Sequence, residues 1–173
     1  MKPTVWVVAM AVFCSLAVKA AGRDFSTYKE VEVKSLKIAP EDHLNKSVKF
    51  TTRSVEYITT FLPYMDRSGF KAGKDFWLKV VPRNFPVIGE KKDKEYGELA
   101  QELKHGDAII LYGKVKKFIS PPGETLFPHY YFDVEKIERL EDKASDALKE
   151  VDALNAEEAA KGKEERGGKR RQL

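Results

Sequence analysis

Apolar and polar residues alternate along much of this chain, and the phase of the alternation shifts at definite places. "SVKFTTRSVEYIT" (47–59) sets Val48 and Phe50 on one side and Lys49, Thr51 and Arg53 on the other. Successive strand side chains point to opposite faces, so this spacing predicts a half-buried strand. At Val55 and Tyr57 the large residues change parity, as a bulge or sharp bend inside one strand requires. "KEVEVKSLKIA" (29–39) alternates at Val31 and Val33 and then at Leu36 and Ile38 after a phase shift, and predicts a lead-in strand. "DFWLKVVP" (75–82) predicts a strand by its β-branched and aromatic content. It places Phe76, Leu78 and Val80 on one face and Trp77, Lys79 and Val81 on the other. "PVIGEKK" (86–92) predicts a shorter strand, and "FLPYMDRSGFKAGK" (61–74), with Pro63, Gly69 and Gly73, a long loop or strand ends flanking one.

The second half changes period. In "KEYGELAQELKHG" (94–106), Tyr96, Leu99, Ala100 and Leu103 form one helical stripe, and Gly106 stands where a helix C-terminus takes a left-handed residue. A strand follows over 107–119, with Gly113 inside the apolar series Ile109, Leu111 and Val115. Glycine in a strand marks a hard bend or a close approach of another backbone. After a turn-rich connection over 120–128, "HYYFDVEKIERL" (129–140) predicts a last strand, with Phe132 and Val134 on one face and a further apolar position at Ile137. Leu140, Ala144, Ala147, Leu148, Val151 and Leu154 then recur at three- and four-residue steps, predicting a helix over 142–160. Gly162, Gly167 and Gly168 are expected to break it, leaving 161–173 as a disordered basic tail.

The order is thus strand, long bent strand, strand, short strand, helix, strand, strand. A β-rich domain this short buries its core by curling on itself, which favours a small barrel with the helix plugging one end. This pattern resembles the OB-fold, a five-stranded Greek-key barrel with one helix between strands 3 and 4. Within that class it is similar to the small exported bacterial "tRNA anticodon-like" OB-fold domains. The likeness lies in "HLNKSVKFTTRSV", "DFWLKVVP", "LAQELKHGDAIILYGKV" and "YYFDVEKIERL", and spans about 46–140. Asn45 stands where a glycine is commoner, and the turn of the other exported OB-fold group, the stress-related proteins, is missing. The expected organisation is a signal peptide over 1–20, an OB-fold domain over 25–140, a charged helix over 141–160 and the tail.

The leader reading comes from "MKPTVWVVAMAVFCSLAVKA". Lys2 precedes an apolar run from Val5 to Val18, shorter than the roughly 20 residues of a membrane-spanning helix. Val18 and Ala20 give a small-residue cleavage pattern, so the chain is expected to be secreted or periplasmic, cleaved after Ala20, with no stable membrane span left. The alternative is retention of the run as an anchor. Cleavage would remove Lys2 and Lys19, taking the 31 basic residues to 29 against 27 acids, a net charge of +2 instead of +4. That charge is too small for a strong nucleic-acid footprint. The single cysteine, Cys14, lies in the leader, which excludes a disulfide, a thiol nucleophile or a thiolate metal site from the domain.

OB-folds bind ligands across strands 2 and 3 and the flanking loops. The resemblance therefore implies a ligand-binding surface made of Lys49, Thr51, Arg53, Phe61, Tyr64, Phe70, Trp77 and Lys79, together with loop 120–128. Trp77 has two readings. It packs under the lead-in strand or the C-terminal helix, or it stacks on a ligand. The three histidines, His43, His105 and His129, fall in three different connections without metal-ligand spacing, and neither a phosphate loop nor a calcium loop is present. The expectation is a non-enzymatic binding module without cofactor or metal, taking an unknown protein or envelope polymer. The alternative partner is single-stranded nucleic acid, stacked on Trp77 with Arg53 and Lys79 meeting phosphates.

Overall fold

The computed structural model describes residues 24–81, 85–119, 129–140 and 146–169, with side chains in the last segment described over 148–160. The expected signal peptide, the 120–128 connection and residues 170–173 lie outside these residues. The chain forms β1 (Lys29–Glu30), α1 (Val33–Ile38), β2 (Ser47–Ile58), α2 (Pro63–Arg67), β3 (Asp75–Val80), β4 (Val87–Glu90), α3 (Gly97–Glu102), β5 (Ala108–Lys117), β6 (Tyr130–Arg139) and α4 (Asp146–Lys169).

Five of these strands close on themselves. The order β2-β3-β4-β6-β5 returns to β2 through the β2–β5 ladder, and β4 runs parallel to β6. This is the OB-fold barrel, with α3 between its third and fourth strands. The barrel interior holds Val48, Phe50, Phe76, Leu78, Val80, Val87, Ile109, Leu111, Val115, Phe132 and Val134. Phe50 meets Phe132 edge-on at 4.9 Å, the arrangement favoured by the aromatic quadrupole. From α3 and its flanks, Tyr96, Ala100 and Leu103 join the same core, and the Glu90 amide donates to the Tyr96 hydroxyl at 3.1 Å.

The parity switch inside β2 is a bulge. Ser54 pairs with Val80 and Glu56 with Lys79, which leaves Val55 as the extra residue of β2. Before it, Val48, Phe50, Thr52 and Ser54 face inward; after it, Tyr57 turns in and stacks on Phe76 at 5.1 Å. The buried Thr52 hydroxyl donates to the Val81 carbonyl at 2.6 Å, so the bend leaves that polar group satisfied. A second bulge leaves Glu135 unopposed, because Tyr112 pairs with Lys136 and Gly113 with Val134. Gly113 sits at that step. A Cβ there would lie 2.1 Å from the Asp133 carbonyl oxygen, so only glycine lets the two backbones approach. Asn45, which replaces the commoner glycine, holds φ 58°, a left-handed conformation that asparagine tolerates.

Four expectations are corrected. The lead-in strand is only Lys29–Glu30, paired parallel to β2; residues 33–38 are helix α1. Val33 and Leu36, three apart, share one helical face and are buried, while Ile38 is exposed. The helix before β5 ends at Glu102 instead of reaching 106, and Gly106, at φ 92°, shapes the following turn. The 61–74 loop contains α2, opened by Pro63 at a position where its missing N–H costs nothing. The C-terminal helix continues past 160 through Gly162, Gly167 and Gly168 to Lys169. Its Ala, Glu, Lys and Arg neighbours are strong helix formers that offset the glycines. Leu148, Val151 and Leu154 bury its stripe, the last two in the main core.

Candidate functional site

The outward face of β3 and β4 is not bare. Trp77 and Ile88 project from it, paired in register, and both are buried. Residues 61–70 fold across them. Tyr64 and Met65 from α2 and Phe118 from the end of β5 complete a second hydrophobic cluster, with Ile58, Phe61, Phe70 and Tyr131 partly buried around it. Apolar residues on both faces of β3 and β4 signalled this cover, since a strand buried on both sides loses its alternation.

Trp77 is 9% exposed, and its indole N–H donates to the Thr60 carbonyl at 2.9 Å. Of its two readings the structure realises packing, beneath α2 and not beneath the lead-in strand or α4. Lys79 lies 5.5 Å from the Trp77 ring centroid and pairs with Glu56 at 2.7 Å. Phe61 stacks on Phe70 at 6.0 Å, and Phe70 meets Tyr131 edge-on at 5.2 Å. Tyr64 stands edge-on to Phe118 at 5.1 Å. Burial pushes the Tyr64 and Tyr131 phenols up to about 12. Leu62, 39% exposed, and Ile119, 82% exposed, extend the apolar surface outward.

The predicted surface divides into two. Phe61, Tyr64, Phe70, Trp77 and Lys79 come together around β3. Lys49, Thr51 and Arg53 do not join them. Trp77 pairs with Ile58, so Arg53 and Lys49 lie roughly 15 and 30 Å back along β2. Lys49 faces Glu30 of β1 at 3.5 Å, and Thr51 is half-buried beside it. Arg53 is engaged by α4: its Nε and Nη2 reach the two carboxylate oxygens of Asp152 at 2.5 and 3.0 Å, and its Nη1 donates to the Gly106 carbonyl. That guanidinium holds the Asp152 carboxyl below the usual carboxylate range.

Sequence reasoning missed Met65, Ile88, Phe118 and Tyr131. Ile88 next to Val87, and Tyr131 next to Phe132, carried the signal: adjacent large apolar residues in a strand bury both faces. The histidines stay separate. His43 Nε2 lies 2.8 Å from the Ser35 hydroxyl, and His105 Nδ1 lies 3.1 Å from the Val55 carbonyl oxygen. Among the described residues, no three His, Cys, Asp or Glu side chains are placed to hold a metal ion, and no helix is long and apolar enough to cross a membrane.

No protein-family model matches the chain, and no curated protein matches it. Solved structures do. A chain assigned as an aspartyl-tRNA synthetase from Leishmania major Friedlin aligns at 11% identity and TM-score 0.46, over 73% of this chain and 23% of that one. Asparaginyl-tRNA synthetase from Pyrococcus horikoshii aligns at 20% identity and TM-score 0.41, over 67% and 23%. An OBody bound to hen egg-white lysozyme aligns at 16% identity and TM-score 0.43, over 63% and 92%. This chain therefore spans less than a quarter of the length of these two synthetases. The OB-fold itself follows from strand order and register.

Proposed function

We propose that the chain is an exported, non-enzymatic binding module that holds a protein segment or envelope polymer on the aromatic surface over β3 and β4. The observation that carries this reading is the half-exposed Phe61–Phe70–Tyr131 group, with the exposed Leu62 and Ile119 next in sequence to Phe61 and Phe118. These rings sit on a packed base of Trp77, Tyr64, Met65 and Phe118, so contacting them would require little ordering of the site. The charges near them favour a neutral or apolar ligand over nucleic acid. Lys79 pairs with Glu56, Lys74 with Glu90 at 3.0 Å and Lys116 with Asp133 at 2.6 Å. Those carboxylates offset the lysine charge on this face and repel a phosphate backbone. Export rests on the leader, and the binding role on the surface alone.

The test compares the chain with a Phe61→Ser/Phe70→Ser variant in capture from an envelope fraction and in oligo-dT titration. Support is an envelope component retained by the wild type and lost by the variant while the far-UV spectrum is kept. Equal capture by both chains, or salt-sensitive oligo-dT binding that the variant loses, without envelope capture, would overturn it. The second outcome would assign the rings to single-stranded nucleic acid.

A further inference from the structure

A polar cleft of about 390 Å³ opens elsewhere on the barrel, lined by Arg53, His105, Gly106, Asp107, Ala108, Arg139 and Leu140. It lies where β5 begins and β6 ends. Phe118 and Tyr131 are at the other end of that hairpin, roughly 30 Å away. The cleft is therefore separate from the aromatic surface.

Among the described residues, two guanidinium groups and one imidazole converge on it, against one lining carboxylate. Arg139 donates to the Glu102 carbonyl at 3.2 Å and lies 3.2 Å from Asp107. The Asp107 carboxylate is held in the turn by the Lys104 amide at 3.0 Å, so the acid orders the loop as well as meeting Arg139. His105 is fixed through Nδ1 on Val55, which leaves Nε2 as its other polar atom. Arg53 is answered from outside the cleft, by Asp152 of α4, through two parallel contacts. Two oxygens on a guanidinium fork is the geometry that carboxylate and phosphate share.

We propose that this cleft is an anion-binding site for a phosphate group, and that Asp152 is its built-in competitor. A volume near 390 Å³ falls in the range of small-molecule pockets, so it admits a phosphate carried on a small organic body. The competitor is displaceable: the Asp152 side chain is half exposed, while α4 is held to the barrel by the burial of Leu148, Val151 and Leu154, so the pair can open with the helix still packed. A phosphate arriving at Arg53 and Arg139 would replace one carboxylate and loosen α4 at that point. The same chemistry has two sources, a small phosphomonoester and the backbone of a nucleic acid.

The experiment is a titration of the full chain with inorganic phosphate, ribose 5-phosphate and oligo-dT at constant ionic strength. It is followed by the arginine Nε–Hε and histidine ring resonances. The expected result is saturable shifts at Arg53, Arg139 and His105. Arg139→Gln should weaken binding about tenfold, the loss of a hydrogen bond to a charged group. Asp152→Asn should tighten it up to about fivefold, as removal of a surface competitor allows. Ribose 5-phosphate binding tighter than oligo-dT assigns the site to small phosphomonoesters, and the reverse order to a nucleic-acid backbone. Shifts reproduced by sodium chloride, or an unchanged affinity in Asp152→Asn, would overturn the proposal.

Discussion

Gly113→Ala tests the barrel closure directly. The added methyl would sit 2.1 Å from the Asp133 carbonyl oxygen, 3.0 Å from its carbon and 2.8 Å from Cε1 of Phe132. The first two atoms are backbone, and rotamer changes cannot move them. Relief requires β5 and β6 to part by more than an ångström at the Glu135 bulge, where Gly113 pairs with Val134. It would also disturb Phe132, which is fully buried against Phe50. Overpacking a core costs typically 1–3 kcal/mol, and a backbone obstacle puts this site at about 3 kcal/mol. That is a large part of the roughly 5–15 kcal/mol by which such domains are stable. The melting temperature should fall by about 6–12 °C for a chain of this size. The assay is urea unfolding followed by far-UV circular dichroism and tryptophan fluorescence. Gly73→Ala serves as control, because its Cβ would meet nothing within 4 Å; it should be neutral or slightly stabilising. A loss below about 1 kcal/mol in Gly113→Ala would refute the close-approach reasoning, since ordinary surface changes stay within about 0.5 kcal/mol.

Other outcomes follow from the same structure. Val151, fully buried where α4 meets the core, should on replacement by Asp release the helix. Hydrogen exchange over 148–160 would then rise while the β-strands stay protected. Trp77 should emit at short wavelength, and oligo-dT should not change that emission. Tyr64, Tyr96 and Tyr131, raised to about 12 chiefly by burial, contribute stability that is whole below the unfolded phenol value near 10. It is lost as pH rises toward 12, so absorbance at 295 nm should show late-titrating phenols coupled to alkaline unfolding. Asp152 has the opposite sign. Its lowered carboxyl contributes stability above the ordinary carboxylate range that is lost as pH falls through the folded value. The side chain is half exposed, so the contribution is at most about 1 kcal/mol. Asp152→Asn should flatten the acid limb of a stability profile below pH 4.

The strands were legible because burial on one face leaves a period of two. The parity shift at Val55 is a bulge in the β2–β3 ladder, and the apolar position at Ile137, three residues after Val134, follows a second bulge that sequence reasoning did not name. Residues 29–39 misled because Val31 and Val33 fit a strand while Val33 and Leu36 fit one helical turn. Periodicity over so few residues cannot separate the two. Helix α2 was hidden for a different reason: its residues, Pro63 to Arg67, are ordered by packing over Trp77 and carry no periodic signal of their own. The candidate surface was legible residue by residue but not as a group. Phe61, Phe70 and Trp77 meet, whereas Arg53 is taken by an acid that lies far along the chain, in α4.

By itself, the sequence determined which strand residues face the barrel interior, where β2 bends and where β5 meets another backbone, because pleat geometry and the missing Cβ of Gly113 act locally. It also determined a leader-like apolar run and a domain without thiols. Only the tertiary structure decided what lies on the outward faces. Whether Trp77 is bare or covered depends on where residues 61–70 come to rest. Whether Arg53 is available depends on α4 folding back over β2. Both are contacts between segments whose local patterns are silent about each other, fixed by the shared burial of surfaces that meet only once the barrel has closed.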